Sequence, residues 1–156
     1  MRLPPLLSIR DTLRLYGISS IKRLSQNFIF DEKFCQHLVT SCPDLRRRLV
    51  IEVGPGPGGL TRALIKGGTQ RLLAIEKDRR FQPALEILEQ ASGGIMKTVM
   101  GDALVADEYA LAQEHFGPLP HLAWEADDAP LVVGNLPFEI STPLLIKWLR
   151  MAGARE

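Results

Sequence analysis

Four short apolar runs, "LVIEVG" (49–54), "RLLAIEKD" (71–78), "IMKTVMGD" (95–102) and "PLVVGN" (130–135), are separated by stretches of helical periodicity. No other feature restricts the fold as much. Near-continuous apolar runs bounded by turn residues mark strands buried on both faces. Strands that alternate with helices are joined by crossovers and lie parallel in one doubly wound sheet. The fold class read from this pattern is α/β, with about four strands present. Between the runs, "GGLTRALIKGG" reads as a helix with Leu60, Leu64 and Ile65 inward and Gly67 at its end. Phe81, Leu85 and Leu88 mark the next helix at i, i+4 and i+7, and Asp107 to His115 reads as another. Asp31 caps an earlier helix with Phe34, Leu38 and Val39 on one face, ending near Cys42 because Pro43 follows. The last helix is expected at "STPLLIKWLR", with Ser141 or Thr142 as cap and Pro143 in its first turn.

The 156 residues are enough for one ordinary domain with a real core. No apolar run approaches the roughly eighteen residues of a membrane-spanning helix, which argues against an integral membrane protein. The net charge of +1 hides an asymmetry: residues 1–50 carry nine Lys/Arg against four Asp/Glu, whereas residues 51–156 carry ten against fourteen. A basic leading third can face nucleic acid or serve as a targeting segment. "MRLPPLLSIRDTLRLYGISSIKR" has the composition of an organellar transit peptide, but also reads as a short helix, Ser8 to Tyr16, ended by Gly17. Both readings stay open at this point. Cys35 and Cys42 are too few for a disulfide scaffold, no CxxC is present, and no metal site is expected. They read as small apolar residues in a reducing compartment.

The four strands are read as ending in Gly54, Glu76, Asp102 and Asn135. Parallel sheets bind ligands beyond the carboxyl ends of their strands, so these residues point at one crevice. Gly54, Gly56 and Gly59 stand in G-x-G-x-x-G register, with Glu76 twenty-two residues after Gly54. That is a dinucleotide fingerprint on a literal reading. Pro55 and Pro57, however, lack the N–H groups that would cradle a pyrophosphate. The loop suits a ligand with a ribose, held by Glu76, and no phosphates; S-adenosylmethionine is one. Asp102 can accept from an adenine amino group, with the Ala103 N–H serving a ring nitrogen; by itself it would read as a helix cap. In "GNLPF" (134–138), Asn135 Oδ1 and the Pro137 carbonyl can hold the two N–H bonds of an exocyclic base amine, and Phe138 offers a face for the base. Two acceptors on that amine aim its lone pair, so positioning is most of the catalysis. Taken alone, the tetrapeptide reads equally as a turn with Phe138 in the core.

"LSQNFIFD" (24–31), "EVGPGPGGLT" (52–61), "AIEKD" (74–78), "GDAL" (101–104) and "GNLPF" (134–138), in this order and spacing, resemble the ribosomal RNA adenine N6-dimethyltransferases. "RLPPLLSIRDTLRL" near the start, and Phe rather than Tyr at 138, resemble the mitochondrial branch. The resemblance implies a Rossmann-like, S-adenosylmethionine-dependent methyltransferase fold. It implies that Asn27 and Ile29 contact the methyl donor, together with Gly54, Gly56, Glu76, Lys77, Asp102, Ala103 and Asn135. It further implies transfer of two methyls to N6 of each of two adjacent adenines in a small-subunit rRNA hairpin, in the mitochondrial matrix.

Members of that family continue through three more strands and a helical carboxyl-terminal RNA-binding domain, which these 156 residues do not contain. The domain reading is therefore a basic helical segment and donor-site cap over 1–45, then the leading part of the methyltransferase domain over 46–156. A strand order of 3-2-1-4 leaves "LVVGN" as an apolar edge. "RRR" at 46–48 could touch phosphates but reads as a solvated run before a strand. The alternative function is a non-catalytic donor-binding module, or a partner of nucleic acid or the mitochondrial transcription machinery. A nicotinamide-dependent oxidoreductase is disfavoured by Pro55, Pro57 and "NLPF".

Overall fold

The computed structural model describes residues 3–18, 29, 31–119 and 126–153. The elements are α1 (Ile9–Leu15), α2 (Glu32–Thr40), β1 (Leu49–Val53), α3 (Gly59–Lys66), β2 (Arg71–Glu76), α4 (Gln82–Ala91), β3 (Met96–Met100), α5 (Glu108–Phe116), β4 (Leu131–Val133) and α6 (Phe138–Gly153). A 3-10 turn, Arg79–Phe81, leads into α4. All four strands pair in parallel, in the order β3-β2-β1-β4. This is the expected α/β, doubly wound arrangement, with β4 at an edge.

Side chains alternate across the sheet as the strand period of two requires. Val50, Leu72 and Ala74 face a core shared with α1 to α4, through Leu13, Cys35, Val39, Leu64, Phe81, Leu85 and Leu88. Leu49, Ile51, Val53, Leu73 and Ile75 face the other core, closed by Ala112 of α5 and Leu144 of α6. The chain crosses from one face to the other between β3 and β4, so β4 lands beside β1. The order reverses there, and the crevice opens between those two strands.

The basic opening segment packs on the domain as a helix. Ser8 caps α1, accepting from the Asp11 N–H, and Gly17 follows its end with φ +60°. Leu13 and Ile18 are buried in the first core, and Arg62 of α3 donates to the Leu7 carbonyl at 2.6 Å. Of the arginine run, Arg46 pairs with Asp44 and Arg47 is exposed. Arg48 departs from the solvated reading: its Nη1 donates to the Ala129 carbonyl at 2.7 Å, tying β1 to the turn before β4.

Two helices differ from expectation. Asp31 caps α2 as expected, but Phe34 and Leu38 are 47% and 37% exposed, while Cys35 and Val39 are buried. The smaller side chains face inward because α2 lies close against α3, where a Cβ on Gly67 would meet Val39 Cγ1 at 2.5 Å. Helix α6 begins at Phe138, three residues ahead of Ser141, so neither Ser141 nor Thr142 is its cap and Pro143 lies inside it. The Pro137 carbonyl starts the helix instead, accepting from the Ile140 and Ser141 N–H groups at 3.2 Å each.

Candidate active site at the carboxyl ends of the strands

A cleft of about 790 Å³ opens above β1, β2, β3 and β4. Its lining includes Ile29, Gly54, Gly56, Glu76, Lys77, Asp102, Ala103, Asn135, Pro137 and Phe138. One cavity thus gathers every residue named from the sequence except Asn27, which lies outside the described residues.

The floor is the loop after β1. Gly54, Gly56 and Gly58 have φ of +68°, +55° and +86°, values that a side chain would strain. Each of their N–H groups is already used: Gly54 donates to the Ile75 carbonyl, Gly56 to Glu76 Oε2 at 2.9 Å and Gly58 to the Pro55 carbonyl. Pro55 and Pro57 have none to give. From 54 to 58, then, no backbone donor is left for a phosphate, which removes the feature a pyrophosphate-binding turn depends on. Ile29 arrives from above: a Cβ on Gly59 would lie 2.8 Å from the Ile29 carbonyl oxygen, so only glycine lets that segment close on the loop.

Glu76 is buried, with only 6% of the residue accessible, and its carboxylate faces the loop. Its Oε1 accepts from the Asp78 N–H at 2.7 Å and its Oε2 from the Gly56 N–H. Burial raises its pKa above the ordinary carboxylate value, and these two backbone donors offset only part of that. Each oxygen keeps a lone pair, so the group is held rigidly and can still accept from a pair of vicinal hydroxyls. Gly56 consequently acts by fixing Glu76, rather than through a free N–H of its own.

At the end of β3, Asp102 Oδ2 accepts from Lys77 Nζ at 2.7 Å and Oδ1 from the Leu104 N–H at 3.0 Å. The lysine, and then that N–H, hold the Asp102 pKa below the ordinary carboxylate value. Lys77 is 75% exposed, so its pair with Asp102 sits at the wet rim and can open to a ligand at little cost.

On the β4 side, Gly134 lets the strand ends approach: a Cβ there would lie 2.7 Å from the Val53 carbonyl oxygen. Asn135 is exposed at the cleft, and Phe138 is 89% exposed at its mouth. Phe138 is therefore a surface face and not a core residue. The Pro137 carbonyl, named from the sequence as an acceptor, is shared with the two N–H groups that start α6.

Glu52 is a lining residue that was not named from the sequence as part of the site. Glu52 lies in the middle of β1, fully buried, with Oε2 lacking a hydrogen-bond partner. Burial raises its pKa to about 8. Its signal was present: a lone acid inside "LVIEV", a strand whose five residues are all buried. Among the described residues, no three His, Cys, Asp or Glu side chains gather as a metal site.

A family model described as ribosomal RNA adenine dimethylase matches residues 19–156. The chain belongs to that family. It is 43% identical to the mitochondrial dimethyladenosine transferase 1 of Xenopus laevis, covering 99% of this chain and 44% of that one. The corresponding figures are 41%, 100% and 55% for Vermamoeba vermiformis, and 41%, 99% and 44% for the human protein. The chain thus spans about half the length of these relatives. Among solved structures, the 23S rRNA methyltransferase ErmE superposes with a TM-score of 0.56 at 27% identity, over 78% of this chain and 42% of that one. An O-methyltransferase from Bacillus cereus, crystallised with SAH, gives 0.57 at 15% identity over 96% and 62%, a likeness of fold alone. The fold is the Rossmann-like methyltransferase fold.

Proposed function

We propose that this chain carries the methyl-donor site and the target-amine motif of an S-adenosylmethionine-dependent rRNA adenine-N6 dimethyltransferase. The observation that carries the reading is the loop 54–58. It lies beside a buried carboxylate yet offers no backbone donor, so it fits a nucleoside ligand without phosphates. Glu76 would hold the ribose hydroxyls, Asp102 and the Ala103 N–H the adenine, and Asn27, Ile29, Gly54 and Lys77 would enclose the remainder. Glu52, the buried carboxyl beneath the cleft, would meet a cationic ligand.

When bound, the donor supplies an electrophilic methyl on a sulfonium. The chain's own residues prepare the acceptor. The adenine N6 lone pair is delocalised into the ring. Asn135 Oδ1 would accept one N–H, and the Pro137 carbonyl the other in competition with Ile140 and Ser141. Phe138 would hold the extruded base by its face. Held in this way, the nitrogen would face the methyl carbon in line; the N–C bond would form as the S–C bond breaks, the thioether would leave, and the amine, acidic once methylated, would lose its proton to solvent. No strong base is needed.

The proposed substrate is a small-subunit rRNA hairpin with two adjacent adenines, each methylated twice, and the proposed place is the mitochondrial matrix; the names of the relatives support the organelle. Residues 1–45 are proposed as the segment capping the donor site and 46–156 as the leading part of the methyltransferase domain. Calorimetric titration with S-adenosylmethionine and with NAD tests the reading. Saturable binding of the first and none of the second is expected, followed by methyl transfer to an adenine-bearing hairpin. NAD binding would overturn it.

A further inference from the structure

The β3–α5 turn and helix α6 meet in a buried polar knot that the proposed reaction does not use. Lys147 Nζ donates to three acceptors, the Ala103 carbonyl, the Ala106 carbonyl and Glu108 Oε1, each at 2.6 Å. An ammonium has three N–H bonds, and all three are satisfied here. Trp148 Nε1 donates to the same Glu108 oxygen at 2.9 Å. The Glu108 side chain is 3% exposed and that of Lys147 20%. Burying an ion pair is costly, and packed apolar residues usually stabilise as well or better. Its presence at this junction therefore calls for a role in placement.

The two ends of the knot lie on the two halves of the cleft. The turn 102–106 is wound on Asp102, whose carbonyl accepts from the Val105 and Ala106 N–H groups and whose Oδ1 accepts from the Leu104 N–H. Lys147 grips that turn from behind, through the carbonyls of Ala103 and Ala106. The other end is α6, whose first residue is Phe138 and whose start is the Pro137 carbonyl. At 1.5 Å per residue, about 13 Å of helix separates Lys147 from Phe138. Within that span Pro143 lies inside the helix and Leu144 is fully buried in the second core, so the packing of Leu144 holds the helix in place between its two ends.

We propose that Lys147, paired with Glu108, is a positioning residue: it locks the turn that receives the donor adenine to the helix that presents the target base, and so sets the separation of the two. This rests on the donor assignment above. The lock acts on backbone carbonyls, so it determines where the Ala103 N–H and the Asp102 carboxylate stand relative to a purine edge. Loss of the lock degrades recognition of the adenine edge before it degrades ribose recognition, which depends on Glu76 and the loop after β1.

The test uses the chain with two ligands, S-adenosylhomocysteine and S-inosylhomocysteine, which differ at the purine C6 group and N1. The principal variant is K147M combined with E108Q, which keeps the lysine stem and leaves no unpaired carboxylate buried; K147R, which retains the charge, carries the same comparison if the double variant does not fold. The wild type is expected to prefer the adenine ligand. The double variant is expected to lose roughly tenfold of that preference, with K147R intermediate. A merely structural knot would weaken both ligands by the same factor, and that result, or an unchanged preference in a folded variant, overturns the lock. Binding of neither ligand by the wild type overturns the donor assignment and the lock with it. In methyl transfer to RNA, the lock further requires the double variant to lower kcat at saturating donor; a change confined to the donor KM would overturn it.

Discussion

The cleft has two sides made on different principles. The donor side is rigid before any ligand arrives: β1 is buried at all five residues and β2 at five of six, and the amides of Gly54, Gly56 and Gly58 are all engaged, that of Gly56 by the Glu76 carboxylate. The target side is short and exposed. β4 has three half-buried residues, and on α6 Leu145, Ile146 and Leu149 are 55%, 44% and 54% exposed alongside Phe138. Preorganisation lowers the ordering cost of binding a small, fixed ligand. A base drawn out of a folded RNA needs an accessible face instead. The difference teaches that affinity and chemistry should come apart when each side is damaged separately.

The largest expected effect tests that separation directly. Asn135→Ala removes an acceptor that acts chiefly on the target amine, so transfer should fall by about a hundredfold to a thousandfold, as when one oriented polar group is lost from an active site. Donor affinity, measured by calorimetry, should change little. Equal losses in both would break the comparison. Glu76→Ala is the mirror case: donor affinity should weaken by about 1–3 kcal/mol. Transfer at saturating donor should fall less than affinity does.

Much of the donor side was legible because its signals are local. A strand that ends in glycine or an acid can be read within a few residues, and Pro55 and Pro57 announce missing donors by identity alone. The target side was legible in its motif but not in its frame. The start of α6 was placed too late because Ser141, Thr142 and Pro143 make a conventional helix opening, whereas the Pro137 carbonyl recruits the N–H groups of Ile140 and Ser141 three residues earlier. On α2 Phe34, Leu38 and Val39 were read as the buried face, but close approach to α3 admits only Val39 of these, together with Cys35. The Lys147–Glu108 pair joins residues 39 apart, and nothing in "LLIKWLR" distinguishes that lysine from a surface one. Contacts of this kind are set by topology, which local pattern does not carry.

Glu52 sharpens the rigid half of the comparison through pH. Its folded pKa, about 8, lies above the ordinary 4.5, so between those values the folded state holds a proton that the unfolded state has lost. Stability from this group is complete below about pH 4.5 and is lost as pH rises toward 8. The slope is at most about 1.4 kcal/mol per pH unit. Glu52→Gln should flatten it, which urea unfolding from pH 5 to 8 would reveal as a variant that gains on the wild type at the alkaline end. An unchanged slope would mean that Glu52 is already ionised in the fold.

The smallest effect, at Phe138, separates a surface platform from a core residue. A buried phenylalanine truncated to alanine costs about 3–5 kcal/mol of stability. With 89% of Phe138 accessible, there is almost no packing to lose, and Phe138→Ala should unfold at the wild-type midpoint. What it should lose is the stacked base, about 1 kcal/mol at this open position, read as a raised KM for the RNA hairpin with donor affinity unchanged. A large drop in stability would instead place the ring against the protein and leave the target side without its platform. The free-energy change is modest, yet its assignment to RNA affinity or to folding decides whether the exposed half of the cleft is a working surface.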